Sequence, residues 1–255
     1  MVKVSIIGAG QVGGAAALAI VSKGLADVVL VDILGDQTKG KALDMAQSLV
    51  ALDEDSSIIG TDDFSQIKGS SIVVITAGKP RTPEMTREDL LATNTKILKS
   101  VCSEIKQYAP DAIVINVSNP LDLITYATYK YLGFNKKKVI GMGGELDCLR
   151  FASKIKKYYK SSYKDIQPIV IGMHGQDMVP VPDFTTVGGV SITELLAPQE
   201  VDQVIEETKQ GGAEIVDLLQ TGSAYYAPGE SIRIMVEAIL KDSHKVVCSC
   251  VLLED

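Results

Sequence analysis

The sequence predicts an α/β fold in which an N-terminal doubly wound parallel sheet is followed by a second, α+β domain. Three observations carry that reading. Short apolar runs alternate with stretches of helical periodicity through the first half of the chain, which is the rhythm of βαβ units. Runs such as Ile72-Val73-Val74-Ile75 are apolar at every position, as strands covered on both faces must be. After about Gly143 the rhythm changes, and shorter strand-like runs are followed by long helices.

In chain order, strands are expected at Val2–Gly8, Asp27–Val31, Ser57–Gly60, Ser71–Thr76, Asp111–Val117 and Lys138–Met142. Helical patterns fall between them at about 12–22, 38–51, 87–107 and 120–131. A helix near 145–160 opens the second part. Strand-like runs follow at 166–172, 179–187 and 190–192, with Gly188-Gly189 reading as the turn between the last two. Helices near 198–219 and 229–241 precede a final apolar run from Lys245 to Leu253, read as a strand. No Pro/Ser-rich linker or repeat separates the parts, so two intimately joined domains are expected, residues 1–143 and 144–255.

Composition narrows the function classes. With 25 basic and 32 acidic residues the formal charge is −7, which argues against nucleic acid and anionic membranes as partners. Although 46% of residues are hydrophobic, no run approaches the roughly 20 apolar residues that cross a bilayer. The four cysteines, at 102, 148, 248 and 250, form no metal-like CxxC pair. Cys248 and Cys250 alternate in the final run, read as buried thiols pointing the same way. No disulfide framework or metal site is implied, which suits a reducing compartment. The first strand begins at Val2, leaving no room for a leader, so a cytoplasmic protein is expected.

Chemistry enters with Val4-Ser5-Ile6-Ile7-Gly8-Ala9-Gly10-Gln11-Val12-Gly13-Gly14, a strand, a glycine-rich turn and a helix start. Gly8 permits a tight turn, Gly10 lets backbone approach a pyrophosphate, and Gly13 lets helix and strand pack closely. The helix N-terminus adds unpaired N–H groups at Gln11, Val12 and Gly13 and a positive dipole end. Asp32 ends the second strand, 19 residues after Gly13. A carboxylate there accepts ribose hydroxyls and repels a 2′-phosphate, which selects NAD over NADP. The same glycines without a ligand would be a tight strand–helix turn. The chain has two histidines, and His174 stands in Gly172-Met173-His174-Gly175 after an apolar run. There a backbone bends, and an imidazole can exchange protons near neutral pH.

With these motifs in place the chain resembles the lactate/malate dehydrogenase family, most closely its malate dehydrogenases of the lactate-dehydrogenase-like type. The resemblance runs from Val2 to the last residue. It rests on Gly8–Gly13, Thr76-Ala77-Gly78-Lys79-Pro80-Arg81, Met85-Thr86-Arg87-Glu88-Asp89-Leu90 and Asn116-Val117-Ser118-Asn119-Pro120. Gly144-Glu145-Leu146-Asp147-Cys148-Leu149-Arg150-Phe151, the His174 segment and Gly222-Ser223-Ala224-Tyr225-Tyr226-Ala227-Pro228 complete it. It implies a Rossmann domain that binds NAD, a catalytic second domain, and a homo-oligomer interconverting malate and oxaloacetate.

The resemblance also assigns roles. His174 would accept the proton of the 2-hydroxyl, and Asp147 would orient the imidazole and stabilise its cation. Arg150 would grip the substrate's C1 carboxylate through two parallel hydrogen bonds. Arg87 would polarise the carbonyl from a closing lid, and Arg81 on that lid would pair with the second carboxylate of a four-carbon diacid. Asn119 would hydrogen-bond the substrate. Thr76, Ala77, Gly78, Asn94, Val117, Ser118 and Asn119 would line the nicotinamide half of the cofactor. Without a ligand, Asp147 and Arg150 would simply form an i,i+3 ion pair, and Arg81 and Arg87 would be solvated loop arginines.

Some residues depart from the family pattern. Glu84 stands where the lid commonly has glycine, Gln176 where an acidic residue or Asn is common, and Asp183 and Glu207 where basic residues are frequent and subunit contacts are expected. Family members continue several dozen residues past the position of Asp255, so either the sequence is partial or the strand expected at its end has an uncovered edge. The rival readings are a dehydrogenase for another 2-hydroxy acid such as lactate, against which Arg81 argues, and a catalytically silent NAD-binding or oligomerisation module. A nucleic-acid-binding Rossmann protein is disfavoured by the negative charge.

Overall fold

A parallel sheet needs helical crossovers, and the spacing of the apolar runs supplies them. The computed structural model describes residues 1–79 and 86–253, apart from the side chain of Arg87. The chain divides into two compact units. One comprises Met1–Met142, Pro228–Lys245 and Cys250–Asp255, the other Gly143–Ala227 and Val246–Ser249.

The first unit is built on β1 (Lys3–Ile7), β2 (Asp27–Val31), β3 (Ile58–Thr61), β4 (Ile72–Ile75), β5 (Ile113–Asn116) and β6 (Val139–Gly141). All six are parallel, in the order β3-β2-β1-β4-β5-β6. The order reverses between β1 and β4, so a crevice opens beyond their carboxyl ends. Its helices are α1 (Gln11–Val21), α2 (Gly35–Val50), α3 (Arg87–Tyr108) and α4 (Leu121–Leu132). Alternate strand residues Val29, Val31, Val73, Ile75 and Val114 pack with Leu98, Val101 and Ile105 of α3 and Ile124 and Leu132 of α4.

Two features fix helix positions that periodicity leaves loose. α3 starts at a capping box: Thr86 Oγ1 accepts from Asp89 N at 3.1 Å, and Asp89 Oδ2 accepts from Thr86 N at 3.1 Å. The Thr86 hydroxyl, which donates to the same Oδ2 at 2.7 Å, and then the Thr86 N–H hold the Asp89 carboxyl below its ordinary range. The helix expected at 229–241 is Tyr226–Leu240 (α8, numbered after the helices below), and from Pro228 it belongs to the first unit. It rests on α1 at Gly229, where a Cβ would come within 2.8 Å of Ala15 Cβ.

The second unit begins with α5 (Gly144–Tyr158). Its strands are shorter than expected, because prolines interrupt the ladders. Pro168 divides the run at 166–172 into β7 (Ile166–Gln167) and β8 (Val170–Gly172). The run at 179–187 becomes β9 (Met178–Pro180), a 3-10 turn at Pro182–Phe184 and β10 (Thr186–Val187). β8 pairs with β9, while β10 pairs with β7 and with β11 (Val190–Ser191). The Gly188-Gly189 turn is as expected, with φ of +61° and +86°. Then follow α6 (Ile192–Leu195) and α7 (Pro198–Leu219).

The strand expected over Lys245–Leu253 does not form. The described part of that segment makes one antiparallel bridge, Gly141 to Cys250, with mutual N–H···O bonds of 2.8 and 3.0 Å. β6 stops at Gly141 and so offers no further ladder. Cys248 and Cys250 accordingly do not share a strand face; they fall in different units.

Candidate active site

Each glycine of the cradle answers a different physical test. Gly8 follows β1 with φ +110°, and a Cβ there would lie 2.6 Å from Ala77 N. A Cβ on Gly13 would lie 1.9 Å from Gly8 O, so the turn and α1 close on each other only with glycine. Gly10, the N-cap of α1, has φ −67°, and a Cβ on it would meet nothing within 4 Å among the described residues. Neither its backbone nor its packing demands glycine, so the space in front of it is free for a group from outside. Gly10 also has no side chain to cap the first turn, leaving N–H groups for an anion. These residues fit a dinucleotide pyrophosphate.

Asp32 lies beside this turn, where Oδ2 accepts from Ala9 N at 2.7 Å and Oδ1 from Leu34 N at 3.2 Å. An ionised carboxylate accepts about four hydrogen bonds, so capacity for two hydroxyls is left. Across the switch point, Thr76 Oγ1 donates to Gly8 O at 2.9 Å. Ser118 Oγ donates to Ala77 O at 2.6 Å. Asn94, buried on α3, accepts from Lys79 N at 2.8 Å and donates to Asn119 O at 2.7 Å. The structure therefore gathers Gly8–Gly13, Asp32, Thr76–Gly78, Asn94 and Val117–Asn119 in the first unit. The amide of Asn94 is spent on pinning the two loops together. Asn116, not singled out from sequence as a site residue, does similar work: fully buried at the end of β5, it donates to Ser118 O and Thr125 Oγ1 and accepts from Ser118 N. A lone amide closing an apolar strand was the available signal.

In the second unit, Asp147 lies in the first turn of α5, where the helix dipole favours a carboxylate, and is 1% exposed. His174 stands in the turn from β8 to β9, flanked by Gly172 (φ +81°) and Gly175 (φ +103°). Its Nδ1 lies 2.8 Å from Asp147 Oδ2, and Arg150 Nη1 lies 3.2 Å from Asp147 Oδ1. The intrahelical ion pair thus exists together with the imidazole contact, and one buried carboxylate serves both. With Nδ1–H donating to Asp147, the neutral ring presents Nε2 as the acceptor. Burial lowers the Arg150 pKa and Asp147 opposes it; a guanidinium remains charged regardless. Arg150 Nε is buried and, among the described residues, has no hydrogen-bond partner. Sequence reasoning also missed Gly212 on α7, where a Cβ would stand 3.3 Å from Arg150 Nη2.

Arg81 and Glu84 lie outside the described residues, as does the side chain of Arg87, whose backbone opens α3. Gln176 and Asp183 are exposed. Glu207 is engaged within its own unit, accepting from Lys157 Nζ at 2.8 Å and Tyr158 Oη at 2.9 Å. Its acidic character is therefore explained by the α5–α7 contact. Among the described residues, no group of three or more His, Cys, Asp or Glu is arranged to hold a metal, and no helix is long and apolar enough to cross a membrane.

Comparison with known proteins matches both parts. Residues 2–141 match the lactate/malate dehydrogenase NAD-binding domain, and residues 144–255 the lactate/malate dehydrogenase alpha/beta C-terminal domain. A malate dehydrogenase of Methanosarcina barkeri is 49% identical over 254 residues, 100% of this chain and 83% of that protein. The malate dehydrogenase of Picrophilus torridus, solved in its apo form, superposes with a TM-score of 0.96 at 39% identity, covering 100% of this chain and 80% of the other. A lactate dehydrogenase of Cryptosporidium parvum, solved with lactic acid and NAD, gives 0.95 at 39% identity, covering 100% and 82%.

Proposed function

Because the chain belongs to the lactate/malate dehydrogenase family through both of its parts, we infer that it is an NAD-dependent enzyme interconverting malate and oxaloacetate, and we propose which residues carry the reaction. The observation that carries the assignment of roles is the buried Asp147 carboxylate held between His174 and Arg150, at 2.8 and 3.2 Å. NAD, when bound, supplies the hydride chemistry. Gly8, Gly10, Gln11, Val12 and Gly13 would hold its pyrophosphate and Asp32 its ribose hydroxyls, with residues 76–78, Asn94 and 117–119 beside the nicotinamide half.

His174 Nε2 takes the proton of the 2-hydroxyl in malate oxidation and returns it in oxaloacetate reduction. Asp147 fixes the ring by accepting from Nδ1–H and stabilises the imidazolium that forms. Arg150 binds the C1 carboxylate. The guanidinium offers five donors, and the Nη1 bond to Asp147 uses one, so a second anion can be gripped. Arg87 polarises the reacting carbonyl, and Asn119 hydrogen-bonds the substrate. Since malate and lactate dehydrogenases match the fold equally well, the fold does not select the substrate. Arg81 supports the diacid, because a desolvated second carboxylate needs an opposite charge and an unmatched arginine rejects a methyl group.

We take residues 1–143 as the NAD-binding domain and 144–255 as the catalytic domain. The proposal extends to a cytoplasmic homo-oligomer, supported by four free cysteines and by exposed Leu43 and Val50 on α2. The test is NADH consumption by the purified chain, with oxaloacetate and pyruvate compared side by side. Oxaloacetate should be strongly preferred, and Arg81→Gln should cut its efficiency about ten- to a hundredfold. His174→Asn should keep NADH binding and lower turnover about 10²–10⁴-fold. Near-normal turnover by that variant would make His174 an ordinary turn residue.

A further inference from the structure

Cys148 follows Asp147 on α5, and nothing in the proposed chemistry uses it. In the second unit its thiol faces that of Cys248, each being the other's hydrogen-bond partner, and the Val170 amide of β8 reaches both sulfurs. Cys148 is buried, and Cys248 is half-buried against the same apolar cluster. The approach is tight: a Cβ on Gly144 would stand 2.9 Å from Cys248 Cβ and 2.8 Å from Cys248 O. The two thiols divide a proton unequally. Cys248 is drawn below the ordinary thiol range by the Cys148 hydrogen bond, and that bond together with burial pushes Cys148 well above it. A partly exposed, acidified thiol beside a buried one is the arrangement of an attacking and a resolving cysteine.

We propose that Cys148 and Cys248 are a hydroperoxide-sensitive dithiol, and that closing it to a disulfide lowers turnover by displacing the first turn of α5. The Cys248 sulfur attacks a hydroperoxide oxygen; the S–O bond forms, the O–O bond breaks, and the alcohol or water leaves with the thiol's proton. The Cys148 sulfur then attacks Cys248; the S–S bond forms, the S–O bond breaks, and water leaves with the second thiol's proton. The dithiol loses two electrons to the peroxide, which ends as one molecule of alcohol or water plus one of water. Bond formation draws the sulfurs from contact to about 2.05 Å. Cys248 already presses on Gly144, so the displacement falls on the turn that carries Asp147. The effect on turnover rests on the orienting role given to Asp147 above; formation of the disulfide does not.

The chain is treated with hydrogen peroxide, free thiols are alkylated, and the digest is mapped by mass spectrometry. Activity with oxaloacetate and NADH is followed in parallel. A peptide pair joining Cys148 to Cys248, two hydrogens lighter, is expected, with Cys102 and Cys250 alkylated. The kcat should fall about tenfold or more, as for an ångström-scale misplacement of a reacting group, and recover with a dithiol reductant. Cys148→Ser and Cys248→Ser should each keep their kcat through the treatment. Failure of this link to form, or over-oxidation of Cys248 alone, overturns the proposal without use of any variant. A complete link with unchanged kcat overturns it as well. Absence of oxaloacetate turnover before peroxide would instead strike the proposed function, while the mass map still judges the dithiol.

Discussion

Gly10→Ala and Gly13→Ala change the same atoms three positions apart, and the structure separates their consequences. At Gly13 the new methyl would sit 1.9 Å from Gly8 O and 2.9 Å from Thr76 Oγ1, and the first of these is backbone. The turn must shift by more than an ångström, an overpacking cost of about 1–3 kcal/mol or more. The gain in helix propensity, about 0.8–1 kcal/mol, offsets only part of it. In a chain of this size each net kcal/mol moves the Tm by about 2–4 °C. At Gly10 the methyl enters open space at an allowed φ of −67°. Losing glycine as the N-cap costs several tenths of a kcal/mol, and a stiffer unfolded chain returns about as much. Stability should therefore hold, while a methyl stands where the pyrophosphate would approach.

Loss of one hydrogen bond to a charged group is worth about 1.5–3 kcal/mol, or roughly ten- to a hundredfold in Kd. Thermal unfolding and titration by NADH fluorescence separate the two variants. Gly13→Ala should lose Tm; Gly10→Ala should keep its Tm within about 2 °C and lose NADH affinity. A Gly10→Ala protein that binds NADH within twofold of the parent would refute the claim that ligand, not fold, sets glycine there.

Three other changes test the second unit. Asp147→Asn removes the charge facing His174 and Arg150 and should lower kcat about 10²–10⁴-fold, with NADH affinity unaltered in a fluorescence titration. Gly212→Ala should raise Tm through helix propensity of up to about 1 kcal/mol yet raise the KM for oxaloacetate, because its methyl crowds Arg150 Nη2; Gly211→Ala, whose methyl would make an ordinary 3.6 Å contact with Arg150, is the control that should leave KM in place. The hydrogen bonds of Lys157 and then Tyr158 lower the Glu207 pKa, so its stabilisation is present above the ordinary carboxylate value of about 4.3 and is lost as pH falls through the lowered one. The gap in urea midpoint between the parent and Glu207→Gln should accordingly shrink between pH 7 and pH 3; a constant gap contradicts the assignment.

What sequence could reveal depended on whether the cause was local. The six strands of the first unit were legible because runs such as Ile72–Ile75 are apolar on both faces, and only a covered parallel sheet uses such runs well. The subdivision of the later strands was also written locally, in Pro168, Pro180 and Pro182, but apolar continuity outweighed it in the reading. The terminal strand failed for a non-local reason. Alternation in Val246–Cys250 suits a strand, yet a ladder needs a partner, and β6 stops at Gly141. Gly212 was invisible for the same reason, since its meaning depends on α7 packing against α5. The His174–Asp147 contact spans 27 residues and came only from family resemblance.

In the proposed chemistry, that contact would let one buried carboxylate serve a site that handles an anion and a proton together. Arg150 and Asp147 cancel, so with His174 neutral the trio carries no net charge. Protonation of His174 raises it to +1 in a setting where Asp147 is 1% exposed and fields are weakly screened. With the roles proposed above, a dicarboxylate would be held better when the imidazole carries its proton, the form that oxaloacetate reduction would consume. Delivery of that proton would return the trio to neutrality as the product forms, weakening the hold on an anion about to leave. On the proposed mechanism, proton transfer and substrate affinity would thus be coupled through Asp147, because the residue that orients the ring would also set the charge that the substrate meets.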